Sequence, residues 1–200
     1  MQKARCERVF NIYTNKLGLL YMGDKADSSY NCAGGTLSPI LQGLLPYPKM
    51  SQPVFIPPGP GAGRILQSLY EPLPPGRPPA PGDVAVFGEG GTPGDRDYKF
   101  AHIGTVVGDL RGQPLIYGKD GFYGTFVGTT EQWCKGYGQP RYYRLKSGPR
   151  ELQALKRNHP VVDDYHRRVK KLGIQVEEEL LRWYDMQSKG AGISKTAPSP

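Results

Sequence analysis

The chain has 200 residues, 38% of them hydrophobic, with 27 glycines, 20 prolines and a formal net charge of +8. That length fits one domain with an appendage, and so much glycine and proline without a repeat excludes a helical bundle in favour of a loop-rich α+β or mostly β domain. No stretch approaches the ~20 apolar residues of a membrane span, while the basic charge suits either an anionic partner (nucleic acid, acidic lipid, a wall polymer) or plain solubility.

Residues 2–17 set Val9, Ile12, Tyr13 and Leu17 near helical spacing and predict a first helix. Its start, MQKARCERVFNIY, is charged and amphipathic and does not read as a secretory signal. Residues 23–30 form a polar loop. A second helix is expected to begin near Cys32, capped by Ser29 or Asn31, with Pro39 either fitting its early turns or dividing it. The proline-rich segment 46–82 reads as an extended wrap interrupted by a short helix near Arg64–Tyr70, or as a disordered linker.

Strand signals follow: Val84 to Phe87 after a Pro-Gly-Asp turn, Ala101 to Val107, Pro114 to Tyr117 beyond a DLRGQ turn, Phe122 to Val127, and Tyr142 to Leu145. They predict a small antiparallel sheet or half-barrel packed on helices. The last of them, in GYGQPRYYRLK, reads as an edge strand, with nucleic-acid binding by its interleaved Tyr and Arg as the rival account. Residues 150–188 are charged and helix-prone with a loose apolar stripe, divided at Pro160 and Gly173. They are expected to be a docked helix pair or, less simply, a partner-binding device. The division is therefore a folded domain at 1–146, a helical extension at 147–188 and a disordered tail at 189–200.

Three cysteines, Cys6, Cys32 and Cys134, are an odd number in a chain this large, which argues against a disulfide framework. Cys32 ends a Gly/Asp/Ser-rich loop at a helix start, where a thiolate is stabilised. His102 opens a strand and could take the thiol proton. Even spacing puts His102, Gly104 and Val106 on one strand face, and Gly104 would keep that face open for substrate. Cys6 and Cys134 read as packing residues, and His159 and His166 as solvated. No Cys/His spacing makes a metal site, GPGAGR lacks the residues of a phosphate loop, and no cofactor is expected.

These blocks resemble the NlpC-type papain-like cysteine peptidases, many of which cut peptide bonds in peptidoglycan. The resemblance lies in Tyr21, Gly23 and Tyr30-Asn31-Cys32-Ala33-Gly34, in Pro81-Gly82-Asp83-Val84, and in His102-Ile103-Gly104-Thr105-Val106-Val107-Gly108, and spans roughly residues 15–146. It implies an α+β papain-like fold with Cys32 as nucleophile and His102 as base. Asn31 and Ala33 stand where the family usually carries Asp and Ser. The third catalytic position falls near Tyr117 or Asp120, and a backbone carbonyl could also orient the histidine. Asp83 resembles a turn acid that fixes the strand start. Tyr21 would donate to the oxyanion or line the substrate subsite, or else is a core aromatic; Asn31 is also read as a substrate contact.

The resulting expectation is a cysteine hydrolase of amide bonds, most simply a peptidoglycan endopeptidase or amidase. It would work as a bacterial effector toxin with a cognate immunity protein, or as a phage-type lytic enzyme. It would be made in the cytoplasm without a signal peptide and delivered outside, or into a target-cell periplasm, by specialised secretion. Two rivals stand beside it: an inactive binding module of the same fold, and a thiol deamidase, transglutaminase-like enzyme or acyltransferase acting on a protein or lipid. No specific nucleic-acid partner is expected.

Overall fold

A computed structural model of the chain describes residues 19–21, 30–44, 55–120 and 124–146, together with seven positions of a C-terminal helix (167, 169–171, 173, 174 and 178). The expected first helix at 2–17 and the tail at 189–200 lie outside the described residues. The elements in chain order are β1 (Leu20–Tyr21), α1 (Cys32–Leu44), α2 (Pro60–Leu69), β2 (Tyr70–Pro72), β3 (Val84–Phe87), β4 (His102–Leu110), β5 (Gln113–Lys119), β6 (Thr125–Thr129), α3 (Thr130–Tyr137) and β7 (Pro140–Leu145). The class is α+β, as the alternation of apolar strands and helical segments predicts.

The strands form one seven-stranded sheet in the order β1-β6-β5-β4-β3-β7-β2, and every pairing in it is antiparallel. The interior strand β3, next to the central β4, reads Val-Ala-Val-Phe and is buried at all four positions, because both faces of the sheet are covered. Period-two alternation divides its side chains. Val84 and Val86 join the cluster containing Ala33, Leu37 and Ile40 of α1. Ala85 and Phe87 join the cluster containing Trp133 of α3. The sheet therefore separates two cores, one under α1 and one under α3.

Local chemistry accounts for the helix ends. Asn31 caps α1: its Oδ1 accepts the Gly34 N–H at 2.9 Å, and its carbonyl accepts the Gly35 N–H at 2.8 Å. The helix runs on through Pro39, so the proline does not divide it. Within the proline-rich segment, α2 starts with Pro60 in its first turn after Gly59, whose φ is 78°. It buries Ala62, Gly63 and Leu66 on one side. The extended-wrap reading is the one seen for residues 70–82; residues 45–54 lie outside the described residues.

Three elements escape the sequence reading. Strands β1 and β2 are two and three residues long, too short to show alternation. Helix α3 had a legible signal, Thr129-x-x-Gln132, which forms a capping box. Gln132 N–H donates to Thr129 Oγ1 at 3.3 Å, and Thr129 N–H donates to Gln132 Oε1 at 2.8 Å. The expected edge strand β7 is interior, between β3 and β2. Its Tyr142 packs, half-buried, against the α3-side cluster, and its Tyr143 lies in the α1-side core.

The Pro-Gly-Asp turn is held by charge. Asp83 accepts Arg144 Nε at 2.9 Å and Nη2 at 2.6 Å, and also the Ala80 N–H at 2.7 Å. The carboxylate thus fixes the start of β3 and ties it to β7, the structural role expected of it. Asp83→Ala is expected to cost about 2–3 kcal/mol, the low end for a buried pair because Arg144 keeps partial solvent access. The urea midpoint measures it, and a loss under about 0.5 kcal/mol would show that the clamp is dispensable.

The C-terminal segment joins the α1-side core. Val169 is buried there, and a Cβ placed at Gly173 would run into the Val107 carbonyl oxygen. The helix therefore lies directly against the β4 backbone, and glycine at 173 permits that approach. Residues 173 and 174 are both helical, while the expected break at Pro160 lies outside the described residues.

Candidate functional site around Cys32

Cys32 is the first residue of α1 and is only partly exposed. Its thiol packs at the margin of the α1-side core. Small residues let this end of the helix come down on the sheet. Ala33 is fully buried, Thr36 Oγ1 donates to the Ile103 carbonyl at 3.2 Å, and a Cβ at Gly35 would already touch the Tyr30 ring and Lys119. The N–H groups of Ile103, Ala33 and Cys32 are turned toward the sulfur and favour its thiolate. Burial outweighs them, and the nearby Asp120 charge adds to it, so the thiol is raised above its ordinary value of 9.0.

Lys119 and Tyr117 share the α1 side of β5. Tyr117 packs against the core there. Lys119 is buried, with Nζ 4.6 Å from the centre of the Tyr30 ring. The sequence reading assigned Lys119 no role.

His102 is where the expectation fails. Its backbone adjoins Ile103, whose N–H reaches the Cys32 sulfur, so the chain brings the two residues to the same end of the sheet. The side chain turns to the other face. The imidazole stacks on Trp133 at 4.5 Å and on Tyr137 at 4.6 Å between ring centres, with Phe87 at 6.1 Å. It is 1% exposed. Nε2 is buried without a hydrogen-bond partner, and a Cβ at Gly118 would sit 2.6 Å from it. Burial lowers the imidazolium to about 3, so the ring is neutral at pH 7. The alternation on β4 is as expected, but the face that carries His102 is the one covered by α3. The structure does not bring His102 to Cys32.

The other expected residues have different work. Asp120 Oδ1 accepts the Tyr137 hydroxyl at 2.6 Å, so it meets the His102 slot only through the Tyr137 ring and does not orient the imidazole. Tyr117 lies on the Cys32 side of β5, away from His102. Asn31 Nδ2 donates to the Ile56 carbonyl at 2.8 Å while its Oδ1 caps α1; the side chain is spent on structure rather than offered to a substrate. Gly104 does not open a substrate face: a Cβ there would lie 2.7 Å from Ile116 Cγ2 and 2.9 Å from the Tyr117 carbonyl oxygen, so it permits β4 and β5 to pack. Tyr21 pairs with Phe126 across β1 and β6.

Cys32 and Cys134 are both free thiols. Among the described residues no group of three or more His, Cys, Asp or Glu side chains could hold a metal ion, and no helix is long and apolar enough to cross a membrane. The thiol chemistry is directly measurable. Cys32 is expected to react with iodoacetamide more slowly at pH 7 than a model thiol, its rate still rising above pH 9. Peptide mapping separates it from Cys134, whose thiol burial also raises. A Cys32 rate that levels off below pH 7 would contradict this environment.

No family model matches the chain, and neither a curated protein nor a solved structure matches it.

Proposed function

We propose that this chain is a papain-like domain of the NlpC type that binds an amide-bearing ligand, with cell-wall peptide as the class, and does not hydrolyse it through a Cys32–His102 pair. The fold reading is supported by the order of its parts: a cysteine opening a helix, a Pro-Gly-Asp turn, and a histidine-led strand beside a buried one in an antiparallel sheet. The loss of turnover rests on one observation. Cys32, the thiol that opens α1, and the histidine expected to deprotonate it face opposite sides of the sheet, and the histidine is neutral, stacked and sealed. A general base must come within hydrogen-bond reach of the proton it removes.

A second reading keeps chemistry at Cys32, as an amide hydrolase, deamidase or acyltransferase. The three N–H groups turned toward its sulfur favour it, since the same donors suit an oxyanion. As a hydrolase it would serve as a wall-directed toxin or lytic enzyme.

One experiment separates the two. Purified peptidoglycan fragments are incubated with the protein, with Cys32→Ala and with His102→Ala, and the products are identified by mass spectrometry while binding is followed by sedimentation. Retention of fragments without cleavage is the expected result. Cleavage abolished in both variants overturns the proposal and restores the dyad. Cleavage abolished only in Cys32→Ala establishes the second reading with a different base.

A further inference from the structure

The proline-rich strap between β2 and β3 is built on two Pro-Gly turns. Arg77 N–H donates to the Pro74 carbonyl at 3.1 Å across Pro75-Gly76, and Asp83 N–H donates to the Ala80 carbonyl at 2.9 Å across Pro81-Gly82. Gly76 and Gly82 take φ of 81° and 96°, as the third position of a type II turn requires. Between the turns Arg77-Pro78-Pro79-Ala80 is extended. Proline fixes its own φ at about −65°, and the residue before a proline is kept out of the helical region. Arg77, Pro78 and Ala80 each precede a proline, so the run is held as a polyproline II ridge with three residues per turn. Exposure follows that period. Arg77, Pro78, Ala80 and Pro81 are exposed, while Pro79 between them is half-buried. One edge of the ridge therefore rests on the body of the protein. The edge carrying Arg77 and Ala80 and the edge carrying Pro78 and Pro81 face solvent.

The fold uses the backbone of this strap and leaves those two edges unused. Leu73 N–H donates to the Tyr142 carbonyl at 2.8 Å, Gly82 N–H to the Val106 carbonyl at 2.8 Å and Ala80 N–H to Asp83 Oδ2 at 2.7 Å, which anchors both ends on the sheet. Five of the six prolines between 72 and 81 are exposed, so core packing does not account for them. Among the described residues the exposed Arg77 guanidinium has no hydrogen bond or ion pair.

We infer that this ridge docks in the groove of a second protein, one lined by aromatic side chains with a carboxylate at its end for Arg77. The match is geometric. Pro78 and Pro81 stand one turn apart, about 9 Å along the axis. The pairs Arg77-Pro78 and Ala80-Pro81 thus present two equivalent knobs to two aromatic slots, the mode by which proline-rich segments are read. The two turns and the Asp83–Arg144 clamp hold the segment in its bound form beforehand, which lowers the ordering cost of association. Arg77 lies at one end of the ridge and fixes its direction in the groove. It is also the one basic residue between Leu73 and Asp83, too little charge for a polyanion site. The ridge and its partner are independent of what Cys32 binds.

The test titrates the full chain against an array of purified, fluorescently labelled SH3 and WW domains, whose aromatic grooves have this chemistry. Saturable binding to at least one domain, read by anisotropy, is the expected result. Pro78→Ala is expected to weaken it at least ~10-fold and Arg77→Glu by a similar factor, as anchors of a small interface do. Pro58→Ala, at an exposed proline outside the ridge, is expected to change it less than ~2-fold. Thermal midpoints should stay near wild type because the residues at 58, 77 and 78 are all exposed. A chain that binds no domain of the array overturns the inference. So does binding that survives Pro78→Ala, or binding lost in Arg77→Glu alone, which would mark a plain charge contact.

Discussion

Lowering the pH from 7 to 5 is expected to destabilise this fold by about 2 kcal/mol through His102 alone. In the folded chain burial depresses its imidazolium to about 3, against 6.5 for a free histidine. Between those values the unfolded chain holds a proton that the folded chain does not, so acid favours unfolding. The contribution is fully present above pH 6.5 and is lost as the pH falls toward 3, at about 1.4 kcal/mol per unit. The physical cause is the slot: two stacked rings, Phe87, and no acceptor at Nε2 for a second proton. Urea midpoints of the protein and of His102→Gln at pH 7, 6 and 5 measure it, ahead of the range in which carboxylates dominate. The variant starts less stable and should show the shallower slope. Equal slopes in the two proteins would mean that the imidazole is accessible to protons in the native state.

Trp133→Ala is expected to cost about 3–5 kcal/mol. The indole is fully buried, lies in the α3-side cluster, and donates Nε1–H to the Ile116 carbonyl at 3.0 Å. Removing it opens a cavity under α3 and leaves that β5 carbonyl without its donor. It also uncovers His102, whose titration should move up toward an ordinary histidine value. The substitution therefore has two readouts, the urea midpoint and the His102 ring signals followed by NMR across pH. Trp133→Phe is the milder control: it keeps most of the packing and loses the hydrogen bond, at about 1–2 kcal/mol. A Trp133→Ala midpoint within about 1 kcal/mol of wild type would mean that α3 does not hold the second core.

Both predictions concern the side of the sheet that the sequence reading left bare. The Trp-Cys-Lys-Gly segment was assigned only a packing cysteine. Instead Trp133 and Tyr137, four residues apart on α3, supply the stack over His102. The capping box that starts this helix is spelled out in Thr129-x-x-Gln132. It was readable, but eight residues of weakly periodic sequence did not demand a helix.

By itself the sequence determined the local elements: the buried run at 84–87, the long strand opened by His102, the helix begun at Cys32, and the alternation that puts His102, Gly104 and Val106 on one side of β4. Each of these follows from short-range periodicity, a turn residue or a cap. Only the tertiary structure decided which side that is. Alternation divides a strand's residues into two sets, but it does not say which helix covers which set; that is settled by elements distant in the chain docking on the sheet. Here α1 took the side of Ile103 and α3 the side of His102, so a sulfur and an imidazole brought to the same end of the sheet were turned apart by the direction of one side chain.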